Sequence, residues 1–199
     1  MDARILDWTE KYRPKSLDEI AGNRSSVEKI KAWAKKWASG VPKNKRGLLI
    51  YGRPGTGKTS AALALAHDMG WEYIELNASD TRNAREIRRI VGGSALSQSL
   101  FERKGERILV ILDEVDNMAA RFDAGAWNAI ISVLKETRQP MILIANDFWN
   151  GVVPNLRIPL QKFYEICEVV PFYPVSYREA KAYLIKILSN FRLLIKQIH

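Results

Sequence analysis

A glycine-rich turn between an apolar run and a helix-forming segment constrains this chain more than any other feature. The turn runs from Gly52 to Thr59, directly after the β-prone run 48–51, and its spacing matches the phosphate-binding pattern G-x-x-x-x-G-K-[ST]. Glycines lack a Cβ and accept positive φ, so a polyphosphate can approach the backbone closely. Backbone N–H groups and the positive end of the following helix then bind its oxygens. The sequence therefore predicts an α/β protein that binds a nucleotide at this turn.

The residues of the turn have distinct expected roles in holding a nucleotide and its metal. We expect the Lys58 ammonium to reach the β- and γ-phosphates and the Thr59 hydroxyl to ligate Mg²⁺. Pro54 donates no N–H, so the backbone donors must come mostly from the residues after it. The predicted nucleotide-binding residues of the turn are Gly52, Arg53, Pro54, Gly55, Thr56, Gly57, Lys58, Thr59 and Ser60. The alternative, a glycine-rich turn that binds nothing, is disfavoured by the strand-like and helix-like segments on either side.

The charge balance favours a polyanionic partner. The chain has 199 residues, a formal net charge of +9 and a pI of about 9.7. These values favour nucleic acid first and an anionic membrane second, with a protein that is merely basic as the alternative. The single cysteine, Cys167, excludes an internal disulfide. Residues 1–15 do not resemble a signal peptide, and the apolar runs are too short to span a membrane. We therefore expect a soluble, cytoplasmic protein without a membrane partner.

Strand-like apolar runs alternate with segments of helical periodicity, which predicts a parallel five-stranded sheet flanked by helices. The predicted strands are residues 48–51, 71–76, 107–112, 141–145 and 164–170. The run at 107–112 is apolar without interruption, as expected for a strand whose sheet is covered on both faces. Helical periodicity extends over 24–38 and 58–67.

Two further segments near the ends of the chain have local signals. Segment 8–14 is expected to be extended, because Pro14 disfavours helical backbone at the residue before it. A last helix is predicted to begin at a capping box formed by Ser176 and Glu179. Its inward face is predicted to carry Ala180, Tyr183, Leu184, Ile187 and Leu188.

Three polar residues follow two of the predicted strands, at the edge where ligands bind in α/β sheets. Asp113 can hold Mg²⁺ through its water shell, and Glu114 can orient and deprotonate an attacking water. Asn146 follows the fourth strand and can hydrogen-bond the γ-phosphate or that water. Together with Lys58, these residues predict the hydrolysis of a phosphoanhydride. The alternative for Glu114 is that it merely caps the helix that follows.

A cluster of arginines follows the second predicted strand. Arg82, Arg85 and Arg89 fall on one face of a predicted helix, and Arg88 lies to the side of that face. Clustered like charges lower the stability of a helix. The presence of such a cluster is easier to explain if a polyanion binds to this face. The alternative is a solvated face with Glu86 as a partner.

These motifs together resemble those of the AAA+ ATPases. The resemblance places Walker A at Gly52–Thr59, Walker B at Ile108–Glu114 and sensor 1 at Asn146. It implies a P-loop AAA+ module with a five-stranded parallel sheet, followed by the start of a small helical lid. It also implies ATP and Mg²⁺ as cofactors.

Within the AAA+ ATPases, two segments are similar to signature boxes of the sliding-clamp loaders of the replication factor C family. They are Trp8–Pro14 and Glu75–Asp80, and Ile144–Trp149 also looks like the archaeal large subunit. The resemblance implies a nucleoid-associated subunit that assembles with small subunits, opens a sliding clamp and places it on primer–template DNA. Tyr12, Arg13 and Pro14 would then line the adenine side of the site, and the arginine-rich helix would face the DNA backbone.

Two departures from the family pattern affect the activity we expect. Residues 81–83 read Thr-Arg-Asn where small subunits usually have Glu-Arg-Gly, and Arg157 is the only arginine near the usual arginine finger. Such a chain resembles a subunit at the end of an open ring, with slow ATP hydrolysis in isolation. The expected domains are an AAA+ domain at 1–172 and an incomplete lid at 173–199, as in a fragment, a split-gene product or a reduced protein.

Two other functions are compatible with the same turn. The first is a non-catalytic subunit that binds nucleotide and serves the assembly of a complex. The second is a P-loop kinase of small metabolites, which the adjacent Asp113 and Glu114 disfavour because such a carboxylate pair is typical of hydrolysis.

Overall fold

A five-stranded parallel sheet organises the part of the chain that the computed structural model describes, residues 8–78, 107–120 and 125–196. The strands are β1 (Gly47–Tyr51), β2 (Glu72–Asn77), β3 (Ile108–Asp113), β4 (Met141–Ala145) and β5 (Cys167–Pro171), in the spatial order β2-β3-β4-β1-β5. The predicted parallel five-stranded sheet is thereby confirmed.

Helices lie between and after the strands. They are α1 (Trp8–Lys11), α2 (Arg24–Ala38), α3 (Lys58–Met69), α4 (Gly125–Glu136), α5 (Leu160–Ile166) and α6 (Tyr177–Lys196). Shorter segments are the 3₁₀ turns Leu17–Glu19, Val115–Ala120 and Val153–Asn155 and the π-helical turn Phe148–Val152. Within the described ranges, none of the helices is long and apolar enough to cross a membrane.

The central strands are buried on both faces. β1 lies between β4 and β5, with Leu49 opposite Leu143 on one side and Val169 on the other. All residues of β4 are buried, as are all residues of β3 before Asp113. Helices on both faces of the sheet exclude water from these strands, which is why their sequences are continuous apolar runs and do not alternate.

A tryptophan pair on α2 fixes the entry into β1. The indole N–H of Trp33 donates to the Lys45 carbonyl at 2.9 Å, and that of Trp37 donates to the Arg46 carbonyl at 3.1 Å. Both rings are fully buried and pack against each other edge to face. The segment before β1, and hence the start of the strand that carries the glycine-rich turn, is therefore held by the core.

Two predicted elements were wrong in part. Residues 164–166 belong to helix α5, so β5 begins only at Cys167. The α5 residue Phe163 is fully buried in the core, and this packing outweighs the local β-propensity of the segment. Segment 8–14 begins with the helical turn α1, because Pro14 restricts only the residue directly before it.

The final helix begins as predicted but presents a different face. Ser176 and Glu179 form the capping box, with Glu179 N–H donating to Ser176 Oγ at 3.3 Å and Ser176 N–H donating to Glu179 Oε2 at 3.1 Å. The prediction of an inward face was wrong at Leu184 and Leu188, which are 58% and 53% exposed. Periodicity identifies residues that share a face, but it does not show whether a neighbour covers that face.

Candidate nucleotide-binding site

The glycine-rich turn joins β1 to α3 in a conformation that depends on glycine. Gly52 has φ of +152°, and a Cβ there would lie 2.0 Å from the carbonyl oxygen of Phe172. Gly57 has φ of +93° and occupies the N-cap of α3, where its carbonyl accepts the first helical hydrogen bond from Ala61 at 2.9 Å. The first N–H groups of a helix have no partner within the helix. The turn therefore directs backbone donors and a positive helix end toward an anion.

Lys58 is held at the base of the turn by three oxygens. Its side chain is 6% exposed, and Nζ donates to the carbonyls of Gly52 at 2.7 Å and Arg53 at 3.1 Å. The third bond goes to Asn146 Oδ1 at 3.0 Å. Burial lowers the pKa of Lys58, while the carboxylates of Asp113 and Asp116 act in the opposite direction. The ammonium is thus fixed in position before any phosphate contacts it.

The two predicted metal ligands are in direct contact. Thr59 Oγ1 donates to Asp113 Oδ2 at 2.8 Å, while Asp113 Oδ1 accepts from the Glu114 backbone N–H at 2.7 Å. In the described ranges there is no group of three His, Cys, Asp or Glu side chains that could enclose a metal. Mg²⁺ in phosphate-binding sites takes few protein ligands and completes its shell with phosphate oxygens and water. One hydroxyl beside one carboxylate fits that requirement.

The Glu114 carboxylate has different hydrogen-bond partners from the Asp113 carboxylate. Glu114 has φ of +57° in the left-handed region, which is rare for a residue with a Cβ. Its Oε2 lies 3.3 Å from Asn117 Nδ2 and 3.5 Å from Asn77 Nδ2. The backbone turn therefore separates two neighbouring carboxylates, Asp113 for a metal and Glu114 for a water molecule.

The structure adds two residues that the sequence analysis did not include among the site residues. Asn77 ends β2 opposite Asp113, so the rule that ligands bind at the carboxyl ends of strands could have identified it. Asp116 lies in the 3₁₀ turn after β3, and its Oδ2 accepts the backbone N–H groups of Asn146 and Asp147 at 3.0 and 3.1 Å. Only its position near the acidic pair could have suggested it.

The predicted adenine-side residues line two different cavities. Arg13 and Pro14 line a cavity of about 610 Å³ together with Thr59. Tyr12 and Arg13 line a smaller one of about 180 Å³ that also includes Tyr183 of α6. The hydroxyl of Tyr183 donates to the Tyr12 carbonyl at 2.9 Å. The segment thus lies between the turn and the last helix.

The remaining predicted residues differ in exposure. Arg53, Pro54 and Gly55 are exposed at the tip of the turn, whereas Thr56 is buried and its hydroxyl donates to the Arg53 carbonyl at 2.9 Å. Arg157 is exposed in the turn before α5. The predicted DNA contacts Arg82, Arg85, Arg88 and Arg89 lie outside the described residues.

Comparison with curated proteins finds large subunits of replication factor C. The chain is 54% identical over 160 residues to the "Replication factor C large subunit" of Methanocella arvoryzae, a match over 80% of this chain and 28% of that protein. The protein of that name from Methanosarcina mazei is 44% identical over 185 residues, 93% of this chain and 28% of the relative. The protein of that name from Methanocorpusculum labreanum is 48% identical over 171 residues, which are 86% of this chain and 33% of the relative. This chain therefore spans about a third or less of the length of these relatives.

Solved structures and family models agree on the fold. The Thermotoga maritima RuvB Holliday junction branch migration motor superposes with a TM-score of 0.65 at 18% identity, covering 91% of this chain and 55% of that one. Residues 1–89 match the Rad17 P-loop domain. Residues 48–166 match the family "ATPase family associated with various cellular activities (AAA)". This match covers more than half of the chain and includes the glycine-rich turn, Asp113, Glu114 and Asn146, so the chain belongs to the AAA family of ATPases.

Proposed function

We propose that this chain binds and hydrolyses Mg-ATP as a subunit of a sliding-clamp loader. The observation that carries the proposal is a set of hydrogen bonds at one edge of the sheet. Lys58 donates to Asn146, Thr59 donates to Asp113, and the backbone N–H of Glu114 also donates to Asp113. Similarity to large subunits of replication factor C supports the clamp-loader part.

Each residue has a role that its surroundings support. Lys58 stabilises the charge that develops on the phosphates, because it is buried, fixed and cationic. Thr59 and Asp113 would hold Mg²⁺, which would neutralise phosphate charge. Glu114 accepts the proton of the attacking water, and Asn146 orients the γ-phosphate or that water. Arg13 and Pro14 contact the adenine side, since they line a cavity together with Thr59.

Glu114→Gln tests the assignment of the base. The change removes the proton acceptor but keeps the shape of the side chain, so ATP affinity should stay within about twofold while single-turnover hydrolysis falls by about 10²–10⁴. Glu72→Gln, an exposed position at the other end of β2, is the matched control and should hydrolyse normally. Hydrolysis at the original rate in Glu114→Gln would show that the base is misassigned. If the unaltered chain and both variants bound ATP without hydrolysing it, the alternative of a non-catalytic assembly subunit would be favoured.

The proposed partners are the small subunits of the loader, a sliding clamp and primer–template DNA. This set follows from the similarity to replication factor C large subunits and from the net charge of +9. A nucleoid-associated location follows from the same proposal. We also infer that residues 173–199 begin a helical lid, since α6 follows β5 and contacts the N-terminal segment through Tyr183.

The proposed DNA contacts are Arg82, Arg85, Arg88 and Arg89. Arg85→Ala and Arg89→Ala should each weaken primer–template binding to a similar extent for unrelated DNA sequences, because phosphate contacts carry little sequence information. Each change should reduce the magnitude of the negative slope of log K against log salt by about 0.9. Lys29→Ala on the exposed side of α2 is the control. An unchanged slope in both arginine variants would favour the alternative, in which these arginines are only solvated.

A further inference from the structure

The end of β4 is held differently on its two sides. On the β1 side, pairing continues to Ala145 opposite Tyr51, and the N–H of Gly52 donates to the Ala145 carbonyl at 3.2 Å. On the β3 side, the pairing stops two residues earlier, at Leu143 opposite Leu112. Asn146 follows Ala145, beyond the end of this pairing. Among the described residues, the hydrogen bond that its N–H makes on the β3 side goes to a side chain.

Asp116 supplies that side chain. Its Oδ2 accepts both consecutive N–H groups beyond the strand, those of Asn146 and Asp147. Carboxylate acceptors make stronger hydrogen bonds to backbone N–H groups than neutral oxygens do. The contact leaves little room, since a Cβ on Gly151 would lie 2.6 Å from Asp116 Cβ. Asp116 is thus wedged between the β3 end and the π-helical turn, and it replaces the missing ladder bonds.

The other oxygen of Asp116 is not used in this way. Oδ1 is buried and has no hydrogen-bond partner within the described residues. A buried oxygen without a partner costs free energy. Holding the segment after β4 with this carboxylate therefore costs stability. We infer from this cost that the contact serves to position Asn146 and Asp147.

We propose that Asp116 is a positioning residue for ATP hydrolysis, holding the Asn146 backbone so that the Asn146 side chain stays on Lys58. This inference rests on the proposed function. The path is short: Asp116 Oδ2 binds the Asn146 N–H, Asn146 Oδ1 accepts from Lys58 Nζ, and Lys58 also contacts Gly52. Asp116 itself does not touch substrate in this scheme. It acts by keeping the polar residues at the ends of β3 and β4 at a fixed separation.

The test compares three changes in the full chain. Asp116→Ala removes the acceptor, so single-turnover hydrolysis should fall by roughly 10- to 100-fold, the scale of a misplacement near 1 Å, while ATP affinity stays within about threefold. Asp116→Asn keeps an oxygen that can accept both N–H groups, so it should hydrolyse within about threefold of the original. Gly151→Ala pushes Asp116 from the other side and should slow hydrolysis without removing the carboxylate.

Glu136→Ala is the control. Glu136 is an exposed carboxylate at the end of α4, and this variant should hydrolyse normally. A double variant, Asp116→Ala with Asn146→Ala, should be no slower than Asn146→Ala alone, because the two residues act in one path. Additive losses would overturn the proposal, and so would an unchanged rate in both Asp116→Ala and Gly151→Ala.

Amide hydrogen exchange gives a readout that does not depend on hydrolysis. Asp116→Ala should speed exchange at the Asn146 and Asp147 amides by roughly 10-fold or more, whereas Asp116→Asn should not. Unchanged exchange at these two amides in Asp116→Ala would overturn the positioning role, whatever the rate of ATP hydrolysis in that variant. Hydrolysis at the original rate in Glu114→Gln would instead contradict the proposed function, and the exchange result would still decide whether Asp116 holds Asn146.

Discussion

The phosphate edge of the sheet and the contact between α6 and the N-terminal segment are held in very different ways. At the edge, bonds from the ends of β1, β3 and β4 converge on Lys58, Asp113 and Asn146. At the other contact, one hydroxyl of Tyr183 donates to the Tyr12 carbonyl, and Leu184 and Leu188 on the same helix are more than half exposed.

This difference separates a preorganised region from a weakly held one. Buried strands fix the edge, so its side chains need little rearrangement when phosphate charge develops. The α6 contact buries little apolar surface, and regions with few buried contacts open at low free-energy cost. We infer that the residues at the phosphate edge are rigid and that α6 can move relative to the nucleotide site.

Lys58→Ala should have the largest effect in the rigid region. It removes the buried cation that contacts three oxygens, so hydrolysis should fall by about 10²–10³ and ATP affinity should also fall. Binding by calorimetry and single-turnover assays would measure this. Lys36→Ala, exposed on α2, is the control and should match the original. A Lys58→Ala chain that binds and hydrolyses normally would remove the basis for calling the edge preorganised.

The pH dependence of ATP binding sharpens the same point. Burial lowers the pKa of Lys58, so the free chain loses this charge at a lower pH than an ordinary lysine would. ATP affinity should therefore decline as pH rises through that lowered pKa. In Lys58→Arg, whose guanidinium stays charged, the decline should be absent. An equal decline in both forms would assign the titration to another group.

The sequence predicted the rigid region better than the weakly held one. Motif spacing selected Lys58, Asp113 and Asn146 as site residues, because phosphate chemistry restricts the residue types that can follow these strands, and the structure places all three at one edge of the sheet. Asp116 was not among the predicted site residues. Its proposed role depends on where the pairing between β3 and β4 stops, and this register is visible only in the three-dimensional structure. The exposed face of α6 was predicted as buried, because periodicity carries no information about neighbours.

Gly52→Ala should have the next largest effect, and the quantity affected is the stability of the fold. Gly52 lies between the phosphate edge and the segment that leads to α6. Its added Cβ would lie 2.0 Å from the Phe172 carbonyl oxygen, at the start of the segment leading to α6. We expect the free energy of unfolding to fall by about 2 kcal/mol or more from overpacking and backbone strain, as measured by denaturant titration. Gly40→Ala has a similar φ of +140° but no atom within 4 Å, so it isolates the backbone term. Equal losses in the two variants would show that the Phe172 contact adds nothing.

Tyr183→Phe should have the smallest effect, and its size decides whether α6 is movable. The change removes the hydroxyl that donates to the Tyr12 carbonyl at 2.9 Å and leaves the ring in place. One such bond contributes about 0.5–1.5 kcal/mol. Exchange of the amides of Arg13 and Lys15 and of those at the start of α6 should therefore accelerate by roughly 2- to 12-fold, with protection of β1 and β4 unchanged. Tyr177→Phe is the matched control, because Tyr177 is 81% exposed on the first turn of the same helix. If Tyr183→Phe also loosened the central strands, the helix and the sheet would open as one unit, and the contrast between a rigid edge and a movable helix would fail.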